Sequence, residues 1–231
     1  MDKRETCFKK SNDCEGLNMK LIDFKVDDFI NEIDQKTATP GGGSVSSLAA
    51  AMGASLVRMV GHLTVDKKKF LALDPEIQFE FKDILAEFLL IKNELITLID
   101  QDTEAFNLVM SAYKLPKDTE VEKKIRNGKI KEGTLEAIRV PLKVATLAIS
   151  ALHHFDLLIK HCNPQTTSDL GVAVLMLSSG AEGACMNVLI NLSALNDDIA
   201  KSQYAKTIDD YLANINRLRS ELLDKVYLKL S

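Results

Sequence analysis

PEIQFEFKDILAEFLLIKNELITLIDQDTEAFNLVMSAY, residues 75–113, is the stretch that decides the fold. After its first residue it has neither glycine nor proline, and its apolar side chains recur at the i, i+3, i+4 spacing of one helix face. Ile84, Phe88, Ile91 and Leu95 mark that face. The pattern predicts one long helix, packed on other helices through its apolar side.

The preceding part of the chain also has helical patterns. Residues 26–33 form a short amphipathic segment. Residues 44–63 are rich in Ala, Ser and Gly, and Ser44 is the predicted N-cap of a helix there. Ala50 and Gly53 would let other helices approach closely, so we expect this helix to lie near the centre of the protein.

Later helices are indicated by their start signals. Thr119 with Glu122 is a capping box that opens a helix running to about residue 161, in which Pro141 predicts a kink. Ser168 and Asp169 are predicted to cap the next helix, and a final amphipathic helix begins near residue 197. Since no segment shows the two-residue alternation of a strand, the predicted fold is all-α, a bundle of long, partly kinked helices.

The composition is that of an ordinary globular protein, with 46% hydrophobic and 27% charged residues among 231. The formal charge of -4 gives no electrostatic reason to expect a nucleic-acid partner. The four cysteines include no C-x-x-C pair, and the N-terminus lacks the apolar run of a secretory signal, which favours a cytoplasmic location. We expect a flexible tail over residues 1–18 and a single helical domain over residues 19–231.

Two apolar stretches, residues 44–63 and 170–192, raise the question of a membrane span. Arg58 and Glu182 interrupt these stretches near their midpoints. We therefore expect two buried helices and no membrane association.

A carboxylate on the apolar face of the long helix is the first candidate for chemistry. Asp102 shares that face with Ile99 and Phe106, whereas Glu104 lies off it. Burial disfavours an unpartnered carboxylate and raises its pKa toward values useful in acid-base catalysis. The alternative is a structural aspartate bonded to a neighbouring helix, and the residue pattern leaves both interpretations open.

A second polar set lies in apolar surroundings nearer the C-terminus. Asn187 and Asn191 share a helix face, so their amides are available to the edge of a heterocycle or to a neighbouring helix. Asn163, Ser168 and Asp169 complete the set. An aspartate beside a serine at a helix start is commonly just a cap, so Asp169 has a structural alternative as well.

Gly41, Gly42 and Gly43, which follow Thr39-Pro40, predict an ordered or switchable loop. Its free amides at a helix N-terminus would suit a carboxylate or a phosphate, although the spacing is not that of a P-loop or a dinucleotide site. The lysine run at residues 67–69 would either hold an anionic tail or form a solvated turn.

No metal site is expected from the histidines, because no carboxylate or cysteine accompanies them at a familiar ligand spacing. They are His62, His153, His154 and His161.

Six segments, in this order and spacing, resemble one known family. They are TPGGGSV at 39–45, DTEAF at 102–106, KLPK at 114–117, VPL at 140–142, SDLGVA at 168–173 and NVLINL at 187–192. Together they make residues 19–196 similar to the formimidoyltetrahydrofolate cyclodeaminase and methenyltetrahydrofolate cyclohydrolase family. Cys162 stands where that family often has a glycine.

The resemblance implies an all-helical subunit that forms a homodimer or a higher homo-oligomer, with a folate site near the dimer interface. It implies that Asp102 donates and accepts protons while 5-formimidoyltetrahydrofolate is converted to 5,10-methenyltetrahydrofolate and ammonia. A tetrahydrofolate derivative is then the substrate, no covalently bound cofactor is expected, and a separate formiminotransferase would supply the substrate. The predicted substrate-binding residues are Gly41, Gly42, Gly43, Ser44, Asn163, Ser168, Asp169, Asn187 and Asn191.

Three alternatives remain at this point. Related enzymes add or remove water at the same carbon, as a cyclohydrolase that interconverts methenyl- and 10-formyltetrahydrofolate. A noncatalytic protein would bind folate without turnover. A structural scaffold would use Asp102 and the asparagines only for packing.

Overall fold

The computed structural model describes residues 20–231, and the predicted tail over residues 1–18 lies outside them. The described part contains eight α-helices and no strand, which confirms the predicted all-α fold. The helices are α1 (Val26–Ile33), α2 (Gly42–His62), α3 (Lys68–Leu71), α4 (Pro75–Tyr113), α5 (Glu120–His153), α6 (Phe155–His161), α7 (Thr167–Leu192) and α8 (Asp198–Leu230). Short 3-10 helices span Leu21–Asp23 and Pro164–Thr166.

Four helices, α2, α4, α5 and α7, form an antiparallel bundle in which each packs against two neighbours. The start of α2 lies beside the C-terminal half of α4, because Ser44 is hydrogen-bonded to Asp102. The same end of α2 meets the C-terminal half of α7, where Gly42 lies next to Asn187. Helix α8 covers α7 from outside. Two candidate functional residues, Asp102 of α4 and Asn187 of α7, therefore lie beside the start of α2.

Small residues allow α2 and α7 to approach closely. A Cβ atom on Gly180 would lie 2.7 Å from the Ser46 carbonyl oxygen, and one on Gly53 would lie 2.8 Å from Cγ of Leu177. Ala50 is fully buried in the same contact region. The predicted close approach at α2 is confirmed, and the short side chains explain how two apolar helices can pack along their length.

Several predicted helix boundaries are confirmed by their caps. Asp74 accepts a hydrogen bond from the Glu76 amide at 2.9 Å, at the start of α4. The capping box before α5 is present, since the Thr119 hydroxyl accepts from the Glu122 amide at 3.2 Å and the Glu122 carboxylate accepts from the Thr119 amide at 2.9 Å. Asp197 caps α8 through the amide of Ala200.

Two predicted helix starts are wrong. Helix α2 begins at Gly42 rather than at Ser44, with Gly41 as its N-cap, so Gly42 and Gly43 are helical and not part of a loop. Helix α7 begins at Thr167, and neither Ser168 nor Asp169 is its N-cap. Helix α2 follows a glycine that serves as its N-cap, and α7 follows directly on a 3-10 helix. In both places the sequence near the start does not mark one residue as the cap.

The helix predicted to run to residue 161 instead ends at His153. Helix α6 follows after one residue, and the two helices meet at an angle of 41°. Pro141 lies inside α5, which continues through it. A kink at Pro141 therefore stays a prediction, while the observed bend lies at His154.

Helix α1 is present as predicted, but most of its apolar face is not buried. Phe29 is buried, whereas Val26 is 78% and Ile30 58% exposed. These side chains border a groove of about 500 Å³, together with Val45 and Met52 of α2.

By length and composition alone, two helical segments qualify as membrane spans, Gly42–His62 and Pro164–Leu192, and the bent pair of α5 and α6 would add a third. In the fold, 56% and 50% of the two apolar windows are buried within the protein. The expected lack of membrane association stays a prediction.

Candidate active site at the start of α2

The first turn of α2 binds the carboxylate of Asp102. The Ser44 amide donates to Oδ2 of Asp102 at 2.8 Å. The single proton of the Ser44 hydroxyl is shared between the Ile99 carbonyl oxygen, at 2.8 Å, and the same Asp102 oxygen, at 3.2 Å. A helix N-terminus favours a negative charge, so the anion expected at this helix end is a side chain of the protein itself.

Gly43 makes room for this carboxylate. A Cβ atom on Gly43 would lie 2.0 Å from Oδ1 and 2.4 Å from Cγ of Asp102, which is far closer than atoms can approach. Oδ1 accepts no hydrogen bond from the described residues. Asp102 therefore has one oxygen held by Ser44 and one that is available to accept or donate a proton.

Two opposing effects set the protonation of Asp102. Its partial burial raises the pKa above the ordinary value of 3.8, and the hydrogen bonds from the Ser44 side chain and amide lower it in part. The net direction is upward. A carboxyl group with a raised pKa holds its proton closer to neutrality, which suits a group that alternately accepts and donates a proton.

The raised pKa predicts a loss of stability with rising pH. Well below pH 3.8 Asp102 is protonated in both the folded and the unfolded chain, so its ionisation does not affect the free energy of unfolding. As the pH rises through the raised pKa, the unfolded chain has already lost the proton, and the folded state is penalised by about 1.4 kcal/mol for each unit of upward shift. Urea unfolding between pH 4 and 7.5 should therefore show Asp102→Asn gaining stability relative to the wild type as the pH rises.

Glu104→Gln is the control for this experiment, because Glu104 is exposed on the same helix. It removes one negative charge from α4 and measures how that loss alone affects stability. A stability difference between Asp102→Asn and the wild type that stays constant with pH would show that the pKa of Asp102 is not raised.

Asn187 borders the same end of α2. Its side-chain amide nitrogen donates to the Gly183 carbonyl at 2.8 Å, and a Cβ atom on Gly42 would lie 3.1 Å from that nitrogen. The side-chain oxygen of Asn187 accepts no hydrogen bond from the described residues. The structure thus brings the glycines, Asp102 and Asn187 together.

Asn191, one turn further along α7, has a structural explanation. Its side-chain amide donates to the Ala137 carbonyl at 2.8 Å and to the Asn187 carbonyl at 2.8 Å. Ala137 is four residues before Pro141, and proline has no N–H with which to bond that carbonyl. Asn191 supplies the missing donor and links α7 to α5.

Asn191→Ala should therefore lower the free energy of unfolding by about 1–3 kcal/mol, because the Ala137 carbonyl loses its partner. In a Pro141→Ala background the restored backbone N–H can bond this carbonyl, so the same substitution should be less damaging. Chemical denaturation of the four proteins of this double-mutant cycle measures the coupling. Equal losses in both backgrounds would show that Asn191 does not compensate for Pro141.

Asn163, Ser168 and Asp169 lie at the other end of α2. Asn163 accepts from the Gln165 amide at 3.3 Å, and its backbone amide donates to the Thr64 hydroxyl at 3.0 Å. An α-helix rises by 1.5 Å per residue, so Thr64 is about 30 Å from Ser44. One subunit does not bring this half of the predicted polar set to Asp102.

Sequence reasoning missed three contributors near Asp102. The Thr103 hydroxyl lies 3.3 Å from the Ser44 hydroxyl, and the Ser46 hydroxyl donates to the Gly42 carbonyl at 2.6 Å. Gly183 leaves space for Ser46, since a Cβ atom there would lie 2.4 Å from Oγ of Ser46. The available signal was the four-residue spacing of Gly183 and Asn187, which puts them on one face of α7.

No group of three or more His, Cys, Asp or Glu side chains within residues 20–231 is arranged to hold a metal ion. Asp102 is the site's acidic group, and its neighbours are a hydroxyl, backbone amides and a carboxamide. This arrangement supports proton transfer at a substrate held against the first turn of α2.

Comparison with known proteins places these features in a family. Residues 25–222 match the formiminotransferase-cyclodeaminase family. The chain is 32% identical over 206 residues to the methenyltetrahydrofolate cyclohydrolase of Methylorubrum extorquens, a match that covers 89% of this chain and 97% of that protein. It is 36% identical over 198 residues to the formimidoyltransferase-cyclodeaminase of Mus musculus, which covers 85% of this chain but 36% of the mouse protein.

A solved structure gives the same result. The crystal structure of formiminotetrahydrofolate cyclodeaminase from Thermotoga maritima superposes with a TM-score of 0.73 at 25% sequence identity. The superposition covers 91% of this chain and 98% of the other. The chain therefore belongs to the formiminotransferase-cyclodeaminase family.

Proposed function

We propose that this protein is a tetrahydrofolate enzyme that converts 5-formimidoyltetrahydrofolate to 5,10-methenyltetrahydrofolate and ammonia. The observation that carries the proposal is the partly buried carboxyl group of Asp102, with Oδ2 held by Ser44 and Oδ1 available. The family relationship supplies the substrate class, since the relatives are named for reactions of formimidoyl- and methenyltetrahydrofolate.

The proposed reaction needs a group that both accepts and donates a proton. The second folate nitrogen attacks the formimidoyl carbon and gives up its proton, while the departing nitrogen must gain protons to leave as ammonia. The bond from the carbon to the second folate nitrogen forms, the bond to the departing nitrogen breaks, and the product is the methenyl cation. Asp102 is the side chain assigned to this transfer, because its raised pKa allows both protonation states to contribute.

Positioning of the substrate is assigned to the residues around Asp102. Asn187 has a free side-chain oxygen beside Gly42, which suits an N–H on the edge of a pteridine ring. Gly42 leaves the space that Asn187 occupies, since a Cβ atom there would lie 3.1 Å from its side-chain nitrogen, and Gly41 precedes it as the N-cap of α2. Holding the two reacting atoms in contact would contribute a large part of the rate.

The cyclohydrolase reaction is the second candidate. It is favoured by one observation, the match that extends over 97% of the Methylorubrum protein named for that activity. There a water molecule attacks the methenyl carbon and loses both of its protons to become the formyl oxygen. The bond to the first folate nitrogen breaks as that nitrogen gains one proton, and the other proton is released. Asp102 would serve the same two proton transfers.

We also propose that the protein acts as a cytoplasmic homodimer. The exposed apolar side chains along α1 and the outer side of α2 support an interface close to the start of α2. The formimidoyl substrate would come from a formiminotransferase, the activity that is paired with the cyclodeaminase in the names of the bifunctional relatives.

Two assays on the purified protein separate these functions. With 5-formimidoyltetrahydrofolate, ammonia release that matches the appearance of methenyltetrahydrofolate absorbance would support the cyclodeaminase. With methenyltetrahydrofolate as substrate and no ammonia present, a loss of that absorbance that is faster with the protein than without it would support the cyclohydrolase instead. If neither substrate reacts and a folate still binds, the protein is a folate-binding protein and the enzymatic proposal fails.

A further inference from the structure

A cavity of about 640 Å³ opens at the end of the bundle opposite Asp102, between the end of α2 and the start of α7. The turn after α2, the connection from α6 to α7, and the end of α8 all contribute to its walls. Six of its lining residues are basic: Lys67, Lys68, Lys69, Lys160, His161 and Lys229. We define these six as the basic pocket.

The basic pocket is a local concentration of positive charge in a chain whose formal charge is -4. No aspartate or glutamate lines it. The ion pairs between described residues involve none of its five lysines. Lysines that line one concave surface without ion-pair partners repel one another, and a bound anion would relieve that repulsion.

Two of these lysines also act on other groups in the pocket, namely backbone carbonyls and the His161 ring. The Lys229 ammonium donates to the Ile159 carbonyl and lies 3.4 Å from the Lys160 carbonyl oxygen, which fixes it at the wall. Burial, followed by the charges of Lys160 and Lys229, lowers the pKa of His161, and the carboxylate of Glu80 opposes this in part. His161 is therefore mainly neutral at pH 7 and offers one N–H donor and one acceptor.

A single small ion would leave most of the cavity's volume unfilled. Ligand pockets of about 300–1,000 Å³ commonly hold whole metabolites. Phe70 and Leu73 supply an apolar portion of the wall, and Asn163 and Gln165 supply a neutral polar portion. A metabolite-sized molecule with several negative groups would satisfy both the volume and the charge.

We propose that the basic pocket binds a small molecule carrying several phosphate or carboxylate groups. The site is distinct from Asp102 within one subunit, because the two lie at opposite ends of α2, about 30 Å apart. It does not depend on which reaction the protein catalyses. Two sources would provide the same chemistry, a polyphosphate compound or a chain of carboxylates such as an oligoglutamate.

Calorimetric titrations with inorganic tripolyphosphate and with a γ-linked pentaglutamate test the site on the full chain. The test variant is Lys67→Gln/Lys69→Gln, in which two exposed lysines are neutralised without disturbing the core. Lys124→Gln/Lys131→Gln is the matched control, because it removes the same charge from exposed positions on α5 that form no ion pair with described residues. At least one probe should bind the wild type and the control, and bind the test variant about tenfold or more weakly.

The two probes distinguish the sources. If the test variant loses affinity for tripolyphosphate alone, the ligand is a phosphate compound. If it loses affinity for pentaglutamate alone, the ligand is a chain of carboxylates. Either result supports the site. Equal weakening in both variants, or no binding of either probe to the wild type, would overturn the proposal. A second measurement needs no variant: the binding probe should raise the pKa of His161, observed by NMR titration of its ring, and an unchanged titration would contradict binding in this pocket.

Discussion

Asp102→Asn is expected to lower the turnover number of the folate reaction by about 10²- to 10⁴-fold, the usual contribution of a positioned acid-base group. Asparagine has the same shape, and its oxygen can still accept the Ser44 amide that now bonds Oδ2 of the aspartate. The start of α2 should therefore keep its structure. What is lost is the ability to take up and release a proton. The measurement is steady-state kinetics of whichever reaction the two assays identify.

Substrate affinity provides the internal control for this variant. KM should change far less than kcat, because a loss of proton transfer acts on the transition state more than on the bound substrate. Glu104→Gln, which neutralises an exposed carboxylate two residues away, should retain nearly full activity. Wild-type kcat in Asp102→Asn would assign Asp102 a purely structural role and leave the reaction without its proposed proton carrier.

The sequence was sufficient for the helices whose signals are local. Helix α4 was predictable because its apolar spacing is uninterrupted from Pro75 to Tyr113. The capping box of α5 was predictable because both partners, Thr119 and Glu122, are three residues apart. Both features depend only on residues that are close in the sequence, and the structure confirms both.

The start of α2 depends on contacts that are distant in sequence. Ser44 has the side chain of a typical N-cap, yet it lies inside the helix, because its amide and hydroxyl bond to α4. The backbone freedom of Gly42 and Gly43 predicts a loop at this position. Their actual role at this site is to omit side chains where Asn187 and Asp102 approach. No local rule contains that information.

The candidate site was predictable in part for the same reason. Asp102 was identified because a carboxylate interrupts an apolar helix face, a pattern that the sequence displays directly. Which polar residues join it depends on helix direction: α7 runs antiparallel to α2, so Asn187 reaches Gly42 while Asn163 lies near Thr64. Residue type alone does not distinguish Asn187 from Asn163 as a substrate-binding residue.

Gly43→Ala is expected to damage the site without changing any polar group. The new Cβ atom would be 2.0 Å from Oδ1 of Asp102, so the carboxylate or the first turn of α2 must move. Overpacking of this kind destabilises by about 1–3 kcal/mol, partly offset by the better helix propensity of alanine. Because a displacement near 1 Å at a reacting group can reduce the rate by about 10²-fold, we expect a loss of activity larger than the loss of stability alone would cause.

Gly128→Ala is the matched control for this prediction. A Cβ atom on Gly128, in helix α5, would have no heavy atom within 4 Å apart from its chain neighbours and the backbone of its own helix. That variant should gain about 0.5–1 kcal/mol from helix propensity, with unchanged activity. Unfolding curves and kcat for both variants separate the steric effect at Gly43 from the general effect of replacing a helical glycine.

A double variant tests whether Gly43 acts through Asp102. If the alanine methyl group reduces activity by displacing the carboxylate, then adding Gly43→Ala to Asp102→Asn should cause little further loss of kcat, since the proton-transfer group is already absent. Fully multiplicative losses would show that Gly43 contributes separately, for instance by contacting the substrate. Wild-type kcat in Gly43→Ala alone would show that the carboxylate has room to shift, and that the close approach of α2 to Asp102 is not required for the chemistry.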